Sequence, residues 1–92
     1  MEIPKSVKIG GMIYEVRVTN EWPNHDFDDG EMFNDKKVGN VIFIREDLSK
    51  EAQIITLIHE ALHGMNTTMN HEFLDSLSEQ LYQFLTDNKL LK

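Results

Sequence analysis

The stretch Ala52-Gln53-Ile54-Ile55-Thr56-Leu57-Ile58-His59-Glu60-Ala61-Leu62-His63-Gly64 decides how this chain is read. Its apolar residues, Ile54, Ile55, Leu57, Ile58, Ala61 and Leu62, return at the spacing of a buried helix. Within it, His59-Glu60-Ala61-Leu62-His63 reads H-E-x-x-H. Residues four apart on a helix share a face, about 40° apart round the axis. Two imidazoles so placed can bind one zinc ion, and Glu60 then points to the space beside the metal where water sits. Such a centre makes hydroxide at neutral pH. Two histidines and a glutamate in an apolar run are costly to bury alone, and a metal removes that cost by taking up the imidazole lone pairs. A surface helix with His59 and His63 in water is the competing reading.

Upstream, residues 6–19 predict a β-hairpin, with Val7 and Ile9 before a Gly10-Gly11 turn and Ile13, Tyr14, Val16 and Val18 after it. Residues 20–37 carry Pro23, Gly30, three asparagines and many acids, and predict a loop with room for a short strand near Glu31 to Asn34. The apolar run Val41-Ile42-Phe43-Ile44 predicts a strand over 38–46. Asp47 and Ser49 are both candidate N-caps for the H-E-x-x-H helix, which is expected over 49–64 and to stop at Gly64. A second helix is expected over 70–88, with Phe73, Leu74, Leu77, Leu81, Phe84 and Leu85 as its apolar positions. The expected fold is a single α+β domain over 1–92, a small antiparallel or mixed sheet of about three strands packed by two helices on one face. The strand at 41–45 is expected to offer a free edge to an extended peptide.

The short connection between the helices makes them antiparallel neighbours and sets the start of the second beside His63. A third ligand is therefore sought at His71, Glu72 or Asp75. His71 shares a stripe with Leu74, Ser78, Leu81 and Leu85, the face suited to packing on another helix, so it is favoured. Glu72 shares a polar stripe with Ser76, Glu79 and Gln83. Asp75 lies one turn after His71 and can accept a hydrogen bond from His63 or His71 and so fix the ring that ligates zinc.

Ninety-two residues without a cysteine exclude disulfides and thiolate metal sites, leaving His, Asp and Glu as donors. The net charge of −7 and the lack of any basic run argue against nucleic acid and against an anionic membrane surface. No apolar segment is long enough to span a bilayer, and Met1-Glu2-Ile3-Pro4-Lys5 has no signal-peptide character. The expectation is a cytoplasmic protein, monomeric or weakly oligomeric. A calcium loop at His25-Asp26-Phe27-Asp28-Asp29-Gly30 is out of register, because His25 and Phe27 fall where ligands are needed. Trp22 and Phe27 are expected to lid the core, and Met65 and Met69 to pack between the helices. The end, Lys89-Leu90-Leu91-Lys92, is expected to fray.

His59-Glu60-x-x-His63, followed by Asn70-His71-x-x-x-Asp75, is similar to the gluzincin pattern of H-E-x-x-H and then N-E-x-x-x-D. The chain also resembles the very small phage- and prophage-type zincins related to the ImmA/IrrE-like peptidases. It shares with them the hairpin Ile9-Gly10-Gly11-Met12-Ile13-Tyr14-Glu15-Val16, a strand before the H-E-x-x-H helix, and a final helix like Leu77 to Asn88. The resemblance implies a zinc metallopeptidase of the cytoplasm, a host cell's if phage-encoded, acting on a peptide or protein. It implies His59 and His63 as ligands, Glu60 as general base and position 71 as third ligand. There the family's acid is replaced by histidine, which leaves Glu72 open as a substitute. Tyr14, Tyr82, Arg17 and Arg45 are the candidates for stabilising an oxyanion. A catalytically silent or latent zinc-binding interaction module is the alternative, with the acidic loop at 24–35 as a partner surface.

Overall fold

Gly10 and Gly11 both hold positive φ, 57° and 87°, as a two-residue hairpin turn of matching twist requires. They join β1 (Ser6–Ile9) to β2 (Met12–Val18), which pair antiparallel with Ile9 opposite Met12. The computed structural model describes residues 2–21, 29–35 and 39–90. Trp22, His25, Asp26, Phe27, Asp28, Leu91 and Lys92 lie outside these, so the expectations of a core lid, of a partner surface on that part of the loop and of a frayed end are not addressed by the described residues.

Two further strands complete the sheet, β3 (Gly30–Asp35) and β4 (Gly39–Ile44), in the order β1-β2-β4-β3. β4 runs parallel to β2 and antiparallel to β3, so the sheet is mixed. Among the described residues it has four strands where about three were expected. The fourth is β3, at the place where the sequence left room for a short strand near Glu31 to Asn34; its charged and polar residues suit an edge. Met32 and Phe33 point to opposite faces, and each packs on a different apolar cluster.

β4 is buried on both faces, which explains its unbroken apolar run. Val41 and Phe43 form one cluster with Phe33, whose ring meets Phe43 edge-on at 5.5 Å, and the Arg17 guanidinium lies 5.9 Å above Phe43. Ile42 and Ile44 face the other way and join Ile9, Tyr14, Val16 and Leu57 in the main core.

Helix α1 (Lys50–Met65) lies on that face. Ser49, not Asp47, is its N-cap, accepting from the Ala52 N–H at 3.1 Å. Gln53 ties the first turn down, donating to the Arg45 and Glu46 carbonyls at 3.3 Å each. The helix does not stop at Gly64 but runs through it to Met65, with Asn66 as C-cap. Gly64 is small for a packing reason: a Cβ there would meet the Met32 side chain at 2.7 Å.

Helix α2 (His71–Asp87) is capped by Asn70, which accepts from the Phe73 N–H at 2.8 Å. Among the described residues it packs on α1 and touches no strand, so the two helices form successive layers over one face of the sheet. Its buried residues are Leu74 and Ser78, while Phe73 and Phe84 stay exposed. Met65, the last residue of α1, is 64 % exposed and does not pack between the helices as expected. No helix among the described residues is long and apolar enough to cross a membrane.

Since α2 is held only through α1, Leu74→Ala should cost about 2–5 kcal/mol, the range for emptying a buried leucine site. A urea melt shifted by less than about 1 kcal/mol would show that Leu74 does not hold α2 in place.

Candidate metal centre

The turn between the helices brings three imidazoles to one place. The His71 ring centroid lies 5.5 Å from those of both His59 and His63, and the latter two are 6.5 Å apart. With Zn–N bonds of about 2.0–2.1 Å, three rings sharing one tetrahedral zinc have centroids about 5 Å apart. Two sides of the triangle already approach that figure, and the third exceeds it by about 1.5 Å. Among the described residues no group of three donors is yet closed to metal-bonding geometry. The needed change is within reach of side-chain rotation, since His71 is exposed and His63 half-buried.

His59 is the anchored ring. Its Nδ1 lies 3.0 Å from Asp75 Oδ1, and its side chain is only 13 % exposed. Burial holds its pKa below the usual histidine value; Asp75 pulls the other way, and His71 and His63 add to the lowering. Asp75 is 69 % exposed, so solvent screens its charge and burial prevails. The contact is therefore a hydrogen bond from a neutral ring, with the proton assigned to Nδ1. That leaves the Nε2 lone pair for a metal, the arrangement in which a carboxylate orients a metal-binding histidine. On the same side, Glu60 Oε2 stands 3.9 Å from His59 Nε2. Glu60 is buried, 8 % exposed. The donor set thus fits zinc, with two neutral-capable imidazoles on α1, a third on α2 and a carboxylate beside the open position.

Of the three candidates for the third ligand, the structure brings His71 to the pair. Asp75 is engaged with His59, not with His63 or His71 as expected, and Glu72 is exposed and does not line the cleft.

The cleft itself is a cavity of about 950 Å³ with α1 as floor. α2 forms one wall through His71, Asp75, Ser78 and Glu79; β3 forms the other through Gly30, Glu31, Met32 and Asn34. β3 and α1 meet closely at Gly30, where a Cβ would stand 2.6 Å from Thr56 Cγ2 and 2.7 Å from the Phe43 carbonyl oxygen.

Tyr14 is the one oxyanion candidate that lines this cavity. Asn34 Nδ2 donates to its hydroxyl oxygen at 3.2 Å, so the Tyr14 O–H retains its own proton to give. Arg17 pairs with Glu15, Arg45 pairs with Asp47 at 2.9 Å, and Tyr82 lines a separate hollow. Asn34 gave no signal in the sequence. Only the strand register, which aligns Asn34 with Asn40 and so with Tyr14 across β4, reveals it.

No protein-family model matches the chain, and neither the curated proteins nor the solved structures searched contain a match.

Asp75→Asn should leave the fold intact and weaken zinc binding about 10–100-fold, measured by competition with a chelating dye. An unchanged affinity would separate Asp75 from the site. Gly30→Ala should destabilise by about 1–3 kcal/mol in denaturant, because a backbone oxygen cannot yield as a side chain can.

Proposed function

We propose that this protein is a zinc-dependent metallopeptidase. The observation that carries the reading is the cluster of His59, His63 and His71 with the Glu60 carboxylate 3.9 Å from the free nitrogen of His59. His59, His63 and His71 would hold the metal. When bound, zinc supplies a Lewis acid and lowers the pKa of water towards about 7.

The chain's own groups divide the remaining work. Glu60 takes the proton of the attacking water and passes it to the leaving amine. Tyr14 gives a hydrogen bond to the carbonyl oxygen of the scissile peptide, where negative charge develops. Asp75 keeps the His59 ring in the required tautomer.

Substrate alignment falls to a different strand from the one expected. β4 has neighbours on both sides and offers no free edge. Among the described residues β3 is the edge beside the cleft. The Arg45 N–H donates to the Asp29 carbonyl at 2.9 Å, which fixes the alternation along this pair. The backbone N–H and C=O groups of Gly30, Met32 and Asn34 then face outward. An extended peptide can add there as a further strand and pass over Glu60. The cytoplasm, a host cell's if the gene is a phage's, is the compartment this reading assumes.

The test is a peptide-library digest with metal analysis. Glu60→Gln should keep zinc and lose cleavage by at least about a hundredfold, in the range of a general base. His59→Ala and His63→Ala should each lose the metal and melt at lower temperature than the zinc-loaded parent. Tyr14→Phe should reduce kcat about 10–100-fold while zinc content stays constant. Zinc uptake without cleavage of any peptide would overturn the peptidase and leave a latent zinc-binding module.

A further inference from the structure

Along the seam between the helices, Ile55 and Glu79 line both the cleft and a shallower hollow that continues towards the start of α1 and the end of α2. The two spaces form one groove. Its charged residues are carboxylates throughout: Asp75 and Glu79 on the cleft side, Glu51 and Asp87 at the far mouth. Among the described residues no lysine or arginine lines either part; Lys50 and Lys89 flank it in sequence without entering. Glu51, Glu79 and Asp87 make no ion pair with any described residue.

A second feature points independently to a ligand. Ser78, next to Glu79 on α2, is 0 % exposed and lines the cleft, yet its Oγ has no hydrogen-bond partner. A buried hydroxyl left unsatisfied is costly, so a polar group arriving there from a ligand would be favoured. The groove walls suit a long cation rather than a bare one. Ile55 offers an aliphatic surface for a methylene stem, and Tyr82 is an aromatic residue beside the far hollow, where a cationic head would lie. Among the described residues the carboxylates form no cluster able to close on a metal ion.

We infer that the groove between α1 and α2 is a subsite for a lysine or arginine side chain of a peptide lying in the cleft. The inference rests on the peptide-binding part of the reading above and names its substrate class as basic. The carboxylates attract the cation, and the Ser78 hydroxyl, on the cleft side, would accept a backbone N–H of the peptide where the side chain enters.

The experiment uses full-length, zinc-loaded Glu60→Gln protein and fluorescein-labelled decapeptides, neutral except for one lysine or one glutamate moved along the sequence. Anisotropy at low salt should show one lysine position binding about tenfold tighter than glutamate at the same place, as expected for a complementary charge in a groove. Adding Glu79→Gln should weaken that lysine peptide about threefold or more and leave the glutamate peptide unchanged. Glu2→Gln, an equal change of charge on an exposed terminus, should have no effect. Equal losses in both variants would mean only bulk attraction to an acidic protein and would overturn the subsite. So would an absence of lysine preference, or no binding of any peptide. Digests of the same peptides by the parent protein separate the two proposals. Lysine-selective binding without cleavage sinks the peptidase and keeps the subsite, whereas cleavage indifferent to charge does the reverse.

Discussion

Helix α1 is packed on both sides, and everything else in the molecule follows from that. Leu57 and Ala61 sit on Ile42, Ile44 and their neighbours, while the opposite flank carries α2. A helix held this way cannot rotate about its axis without emptying one of the two contacts. Its polar residues are thereby fixed in direction. Glu60 is turned towards β3, near Gly30, and His59 is turned towards α2, where Asp75 receives it. The cleft is the space left where the sheet and the outer helix diverge above the same stretch of α1.

The weak point of the arrangement is α2. It borrows its place from one side of α1 and leaves Phe73 and Phe84 exposed. Yet it supplies His71 and Asp75, one clustered with the rings of α1 and one orienting His59. Any ion shared between the helices would stabilise the outer layer as it bound, because ligand binding to the folded state adds to folding free energy. Small domains with thin cores gain most from such a link.

Much of this was legible in the sequence. The Gly10-Gly11 hairpin, the buried run of β4, both helices and the approach of His71 to His59 and His63 follow from periodicity and a short connection. Three things were faint or absent. β3 showed only as room for a short strand near Glu31 to Asn34, because an edge strand needs little apolar alternation, and Met32 and Phe33 serve different clusters. The central place of β4 depends on which strands pair, and a parallel β2–β4 pairing across a long connection leaves no local mark. Gly64 looked like a terminator because glycine serves both to end helices and to admit a close neighbour; only the position of Met32 distinguishes them.

An open β3 edge also has a consequence for handling the molecule. Outward-facing backbone groups that welcome a foreign strand will also welcome a second copy's β3, the first step of sheet-to-sheet polymerisation. At neutral pH the chain's charge of −7 keeps like copies apart. Near its isoelectric point of about 4.9 that repulsion vanishes while the edge remains, so mild acid is the condition under which this fold is most prone to precipitate.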